Sequence, residues 1–331
     1  MFNNSEWLRQ VREAVIDPGR EIVDPHHHLW PKPHLSYDLE ELWSDTQDGH
    51  NVVQTVFMEC GAAYRTEGPD ALKPVGETEF VTNAAMRAAL DRSKAQIAGI
   101  VAHADLRRAD LDTILDAHGA AAKGLFRGIR HAGAFEPDKS VPLSIPGRGP
   151  AGLYADPDFR RGVARLGARG LTYDTWMYHH QLPDYAALAA AVPETVMILD
   201  HFGTPLGVGP YGGKRDEIFA KWKDDIAEVA ACPNVYAKLG GLAMPDNGFG
   251  WTGREKPPGS DEFVEAQAPW YHHAIKVFGP ERCMFESNFP VDRLSLSYRT
   301  LWNGLKKIAK DYPEAAQAAM FSGTARKVYK L

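Results

Sequence analysis

The chain alternates between short apolar runs and longer segments whose apolar residues recur with helical spacing. Most of the short runs are continuously apolar, which is typical of strands buried on both faces. Eight strands are predicted, at 21–28, 52–59, 96–103, 124–131, 170–176, 195–201, 234–239 and 282–288. Helices are predicted between them, at 79–93, 109–118, 157–168, 183–191, 215–231, 261–278 and 298–311, with a short crossover at 37–43. This alternation predicts an α/β fold, a single-domain (β/α)8 TIM barrel.

The two ends of the chain add helices to this barrel. Residues 1–20 are predicted as an N-terminal helical extension, with an amphipathic helix at 5–16, and residues 21–331 as the barrel. The segment 313–331 is predicted as one more helix. A doubly wound open sheet is the alternative fold, but it would usually carry a Gly-rich phosphate turn after its first strand, and this sequence has none there.

Loop lengths indicate which end of the barrel is functional. The segments that follow strands are long and rich in Gly and Pro, at 61–78, 133–155, 203–214 and 240–260. The segments that lead from helix to strand are short. Because TIM-barrel enzymes carry their sites on the loops at the C-terminal ends of the strands, we expect the active site on that face.

Composition narrows the class of protein. The net charge of −6 and the lack of a Lys/Arg block argue against a nucleic-acid partner. No apolar run approaches the ~18 residues of a membrane span, and the N-terminus does not resemble a signal peptide, so we predict a cytoplasmic protein. Its three cysteines are predicted to be reduced thiols. The expected partner is a small-molecule substrate, and homo-oligomerisation stays open.

Polar residues stand at nearly every strand exit. They are His26 and His28, Glu59, His103, Arg127 with Arg130 and His131, Asp174 with Trp176, Asp200 with His201, Lys238, and Glu286 with Asn288. Charged groups are costly to bury without partners. We therefore expect these side chains to surround a shared cavity or its ligand.

The first of these groups suggests a metal. In a strand the two-residue repeat would turn Asp24, His26 and His28 to one side and His27 to the other. Neutral imidazoles bind zinc, and a catalytic zinc site keeps a position open for water. His26, His28 and His201 are predicted to supply three ligands for a divalent metal ion, most simply zinc.

Substrate contacts are predicted on the same face. Arg130 is expected to grip a substrate carboxylate, and Arg127 is the second candidate, with an ion pair to Glu59 or Asp174 as the alternative. His103 and His180 are further candidates. Trp176 is expected to form an apolar wall with Trp30 and Trp251.

Several segments resemble the second amidohydrolase family, TIM-barrel metal-dependent hydrolases that include pyrone dicarboxylate lactonase and sugar-acid lactonases. They are DPHHHLW at 24–30, RGIRH at 127–131, LDHFGTP at 199–205, FESNFP at 285–290 and GTARKVYKL at 323–331. The resemblance implies that an activated water hydrolyses the ester bond of a lactone or related cyclic ester, here of a small carboxylated molecule. It places His26, His28 and His201 around the reacting carbonyl.

One departure from the family concerns the catalytic base. The family has Ser-Asp-Trp-Pro after the eighth strand, and its Asp acts as base or metal ligand; here the corresponding residue is Asn288. An amide cannot accept a proton near neutral pH. The base is predicted to have moved to Glu286, on the same strand face as Asn288. It could instead be Glu59, Asp174 or a histidine, or the site could work without a metal. The predicted catalytic residues are Glu286, Asn288 and His201.

Two other functions stay open. The same family contains non-oxidative decarboxylases of aromatic or enol acids, which would be expected to keep a metal and the strand-eight Asp. A barrel that binds a small molecule without catalysis is the third hypothesis, and the many ionisable strand ends argue against it.

Overall fold

Eight parallel strands form one sheet in chain order. The computed structural model describes residues 4–31, 37–145, 147 and 149–331. The strands are β1 Glu21–His27, β2 Asn51–Met58, β3 Gln96–Ala102, β4 Phe126–Arg130, β5 Thr172–Thr175, β6 Met197–Leu199, β7 Val235–Leu239 and β8 Cys283–Phe285. Beyond β8, the Asn288 amide donates to the carbonyl of His26, and the His28 amide donates to that of Phe289. These bonds join the last strand to the first, and the predicted (β/α)8 barrel is confirmed.

A helix follows each strand, and further helices lie at both ends of the chain. The described helices are α1 Ser5–Leu8, α2 Leu39–Thr46, α3 Val75–Ala88, α4 Leu111–Ala121, α5 Pro157–Ala168, α6 Leu182–Ala191, α7 Arg215–Ala230, α8 Ser260–Phe278, α9 Tyr298–Ala309, α10 Glu314–Ala318 and α11 Thr324–Tyr329. A π-helical turn, Ala319–Gly323, connects the last two. No helix of the described ranges is both long and apolar enough to cross a bilayer. The cytoplasmic location stays a prediction.

The N-terminal segment departs from the sequence prediction. The helix expected at 5–16 ends at Leu8. Tertiary bonds hold the following residues, because the Ile16 amide donates to Oδ1 of Asn303 and the Glu13 carboxylate accepts from the Ser260 amide. Residues 1–3 of the predicted extension, and residues 146 and 148 of the predicted 133–155 loop, lie outside the described residues.

Two apolar layers surround the strands. The larger lies between the strands and the outer helices. The smaller, which we call the floor cluster, packs inside the barrel and includes side chains of α11. Its buried members are Val23, Val56, Met58, Val101, Ile198, Met284, Ala325, Val328 and Tyr329. The last helix therefore helps to fill the barrel interior, and the polar strand exits lie above this layer.

Two helix glycines test how tightly the helices pack on the barrel. A Cβ on Gly162 of α5 would lie 1.9 Å from the Leu106 carbonyl oxygen, whereas a Cβ on Gly119 of α4 would meet nothing within 4 Å. We expect Gly162→Ala to lower the free energy of unfolding by about 1–3 kcal/mol because of overpacking. Gly119→Ala should raise it by about 0.5–1 kcal/mol through helix propensity. Urea denaturation of both variants measures this. A stable Gly162→Ala protein would contradict close α5 packing.

Candidate active site

A cavity opens among the loops that follow the strands. Most of its wall is apolar, and its polar atoms come from a few side chains at strand ends. The lining residues are His28, Trp30, Glu59, Cys60, Arg130, Ala132, Ile145, Trp176, His201, Met244, Asn288 and Val291. A mostly apolar wall with a few convergent polar groups is typical of a small-molecule site.

An irregularity in β1 sets the direction of its histidines. Asp24 pairs with Thr55 and His27 pairs with Phe57, so β1 carries one residue more than β2 between these points. A bulge of this kind reverses the strand's side-chain alternation. Asp24 consequently accepts from the Tyr298 hydroxyl of α9 at 2.9 Å. The prediction that Asp24 shares a side with His26 and His28 is wrong, whereas the two histidines do lie together.

The two histidines present unprotonated nitrogens to each other. Nδ1 of His28 lies 2.8 Å from the Met58 carbonyl oxygen, which can only accept, and Nδ1 of His26 lies 2.8 Å from Oε2 of Glu286. These partners assign the protons to Nδ1, so the two Nε2 atoms, 3.3 Å apart, carry no proton, and Nη1 of Arg130 lies 3.4 Å from Nε2 of His26. Burial, followed by the charge of Lys238 for His26 and of Arg130 for His28, holds both pKa values well below their usual range.

Glu286 links His26 to the third histidine. Its Oε1 lies 2.7 Å from Nδ1 of His201, and the carboxylate is fully buried and does not line the cavity. Burial opposes a charged His201, but the Glu286 carboxylate outweighs it and raises the His201 pKa. His201 approaches Gly241 so closely that a Cβ there would lie 2.3 Å from Nδ1. Glycine at this position is therefore required by space as well as by its φ of +76°.

Two cations are buried among the carboxylates. Arg130 donates from Nε to Oε1 of Glu59 at 2.9 Å and also bonds the Glu59 carbonyl, and its Nη1 lies 3.4 Å from Oδ2 of Asp200. Nζ of Lys238 lies 3.0 Å from Oδ2 of Asp174 and 3.3 Å from Oδ1 of Asp200. Burial opposes the Lys238 charge, but Asp200 and Asp174 raise its pKa. Both cations are therefore charged.

The donor atoms fit a divalent metal ion. Tetrahedral zinc holds imidazole nitrogens at about 2.0–2.1 Å, which separates two of them by about 3.3–3.4 Å. The Nε2 atoms of His26 and His28 have this spacing. Donor atoms of His26, Asp200 and His201 also lie within 4.8 Å of one another. We favour the first pair as the core of the site, because Lys238 and Arg130 already face the oxygens of Asp200.

The balance of buried charges also fits a bound cation. Five buried carboxylates, Glu59, Asp174, Asp200, Glu286 and Asp292, lie around two buried cations, Arg130 and Lys238. Unbalanced buried charge is costly. A divalent cation or a proton on His201 would reduce this excess of carboxylates.

Several residues predicted for the site line its wall. The cavity brings together His28, His201, Asn288, Arg130, Glu59 and Trp176. His26 lies directly behind His28, and Glu286 lies behind His26 and His201. Trp176 is held by a bond from its indole N–H to the Thr204 hydroxyl at 3.0 Å.

Other predicted residues lie away from the cavity wall. Arg127 donates to the carbonyls of Gly124, Phe126 and Ala98, since a register shift between β3 and β4 changes its direction. His103 bonds the Arg130 carbonyl through Nδ1. Exposed His180 pairs with Glu136, and buried Asp174 pairs with Lys238. Trp251, expected in the apolar wall, instead stacks on Phe249.

Asp292 is a functional candidate that the sequence prediction missed. Its Oδ1 accepts from Nδ2 of Asn288 at 2.9 Å, and burial raises its pKa to about 7. It lies four residues after Asn288, and its amide donates to the Asn288 carbonyl in one helical turn. The four-residue spacing from Asn288 was the feature of the sequence that could have indicated Asp292. A carboxylate absent from position 288 is thus present one turn later, where it fixes the amide of Asn288.

Comparison with known proteins agrees with this architecture. A family model described as Amidohydrolase matches residues 23–331. The chain belongs to the amidohydrolase family. This amidohydrolase is 30% identical to the uncharacterized protein y4mH of Sinorhizobium fredii, over 94% of this chain and 98% of the relative. It is 28% identical to an L-fucono-1,5-lactonase of Burkholderia multivorans, over 95% and 97% respectively.

A solved structure resembles this amidohydrolase along nearly its whole length. It is an amidohydrolase from Burkholderia multivorans with bound zinc, with a TM-score of 0.69 and 26% identity. The similarity covers 94% of this chain and 99% of that one. The family resemblance drawn from the motifs is confirmed.

Removing the Lys238 ammonium should destabilise this amidohydrolase. Lys238→Met leaves Asp174 and Asp200 buried without that counter-charge, and we expect a loss of about 3–5 kcal/mol in the free energy of unfolding. Lys221→Met is the matched control, because Lys221 pairs with Asp225 while its side chain stays 69% exposed; little change is expected there. Chemical denaturation compares the two. Equal free energies of unfolding for Lys238→Met and Lys221→Met would show that the buried carboxylates do not need the Lys238 charge.

Proposed function

We propose that this amidohydrolase hydrolyses a lactone or related cyclic ester of a small molecule. One observation carries the proposal: the unprotonated Nε2 atoms of His26 and His28 lie 3.3 Å apart beside a His201 whose Nδ1 is held by Glu286. This arrangement provides metal donors and a proton acceptor at one cavity wall. The lactonase activity named for the Burkholderia multivorans relative supports the ester as the bond broken.

A divalent metal, most simply zinc, is part of this proposal. His26 and His28 would hold it, with Asp200 as the further donor, because Nε2 of His201 is the nitrogen that accepts a proton in the scheme below. When bound, such an ion polarises a carbonyl and lowers the pKa of water to about 7. The zinc in the related Burkholderia multivorans structure supports this choice.

Within the chain, His201 is the proposed general base. Glu286 holds Nδ1–H, so Nε2 is the nitrogen left to take a proton from the attacking water, and the same proton can pass to the leaving ring oxygen. Glu286 acts as a positioning residue in this scheme, because it is fully buried and each oxygen faces one imidazole. The earlier alternatives are less favourable: Glu59 is bound to Arg130, and Asp174 is bound to Lys238.

The surroundings of Arg130 favour an uncharged substrate over the carboxylated one expected from the sequence. A substrate carboxylate would have to compete with Glu59 and Asp200 for the guanidinium. A neutral ring leaves these pairs intact, and its C–H faces can pack on Trp30 and Trp176, which line the cavity. We therefore propose a neutral lactone, with Asn288 and Arg130 offering hydrogen bonds to its oxygens.

Substrate panels test the reaction and the substrate together. Proton release in a pH-stat should accompany hydrolysis of a neutral 1,5-sugar lactone, with slower turnover of a lactone dicarboxylate, each corrected for uncatalysed opening. Zinc content should be measured on the same sample, and a chelator should lower the rate. Carbon dioxide release from aromatic acids, without lactone turnover, would instead assign a decarboxylase. Faster turnover of the lactone dicarboxylate than of the neutral lactone would contradict the proposal of a neutral substrate.

Variants separate the base from its positioning partner. We expect His201→Asn to lower kcat by about 10²–10⁴-fold, the usual contribution of a general base. Glu286→Gln keeps a hydrogen-bonding group of the same shape, and should cost about 10–100-fold. Steady-state kinetics on the lactone measure both. A larger loss of kcat for Glu286→Gln than for His201→Asn would indicate that Glu286 is the general base.

A further inference from the structure

The helix α11 brings one polar group into the floor cluster. Ala325 and Val328 pack there against Met58 and Met284, and the buried ring of Tyr329 belongs to the same cluster. A phenylalanine would fill the same space. A hydroxyl buried among apolar side chains costs free energy unless it is hydrogen-bonded, so its partner is informative.

That partner is the carboxylate of Asp174. The Tyr329 hydroxyl donates to Oδ2 of Asp174, the same oxygen that lies 3.0 Å from Nζ of Lys238. The Thr172 hydroxyl donates to Oδ1 at 2.9 Å. Tyr329 and Thr172 thus fix both oxygens of Asp174, and the carboxylate in turn fixes the Lys238 ammonium, whose Nζ also lies 5.4 Å from the Tyr329 ring centroid.

Lys238 continues the contact into the active site. Its Nζ lies 3.3 Å from Oδ1 of Asp200, which is a proposed metal donor. Asp200 bonds Arg130, and Nη1 of Arg130 lies 3.4 Å from Nε2 of His26. The path from α11 to Asp200 therefore has two side chains between its ends, Asp174 and Lys238, and all of its members are buried.

We propose that Tyr329 is a positioning residue of the active site. Its hydroxyl holds Asp174, and through it Lys238, in the position that sets Asp200, and Asp200 in turn sets the Arg130 guanidinium that contacts Nε2 of His26. α11 thereby contributes to catalysis as well as to the floor of the barrel. The kinetic consequence rests on the proposed lactone hydrolysis; the geometric one does not.

The test compares two hydroxyl deletions. Tyr329→Phe removes the bond to Asp174 and keeps the ring. Tyr37→Phe is the matched control, because the buried Tyr37 hydroxyl also donates to a carboxylate, Asp45, that pairs with a cation. That cation is Arg293, which has no part in the proposed chemistry. We expect Tyr329→Phe to lower kcat on the lactone about 10-fold with KM nearly unchanged, as loss of outer supporting contacts typically does. Tyr37→Phe should retain wild-type kcat.

A second readout needs no substrate. Histidine-selective ¹⁵N NMR should show displaced ring resonances of His26 in Tyr329→Phe and wild-type resonances in Tyr37→Phe, with His26→Gln providing the assignment. Thermal unfolding of both variants controls for stability. Wild-type His26 resonances in Tyr329→Phe, or equal displacement in both variants, would overturn the proposal. If the wild-type protein opens no lactone while the His26 displacement is seen, the positioning role stands and the proposed function fails.

Discussion

Burying charge inside the barrel is the constraint on which the site depends. Lys238 and Arg130 are held by carboxylates in an interior where a lone charge would cost several kcal/mol. Each carboxylate must in turn meet a donor, and the required donors come from β1, β4, β5, β7 and α11 and from His201 after β6. The histidines are fixed by this network: Glu286 orients two of them, and a backbone carbonyl orients the third. The geometry of the site thus follows from satisfying its buried charges.

The order of strands and helices could be predicted from the sequence, because buried parallel strands leave long apolar runs between helical segments. α5 begins and ends at the predicted residues, since Asp156 caps it and Pro157 starts it.

The length of the N-terminal helix was overestimated. Its amphipathic spacing was real, but bonds to α8 and α9 determine the path of the chain after Leu8, and local spacing cannot reveal such partners.

The candidate site was predictable in location and less so in detail. His26 and His28 were recognisable by their two-residue spacing, although the bulge in β1 lies between Asp24 and His27. The directions of Asp24 and Arg127 were not, since each depends on a register shift that the two-residue repeat ignores. The sequence also does not show how far from the cavity a side chain at a strand end lies. Asp174 and Glu286 stand at strand exits in the sequence, yet both lie behind the cavity wall, where they support other side chains.

The pairing of Arg130 also bears on how a product would leave. Opening a neutral lactone creates a hydroxy acid, which is an anion at neutral pH. That new carboxylate forms beside Glu59, which already holds the guanidinium of Arg130. The anion therefore gains little attraction there and meets a like charge nearby. If the proposed neutral lactone is the substrate, its acid product would bind weakly, and the ion pair between Arg130 and Glu59 that shapes the wall would also limit product inhibition.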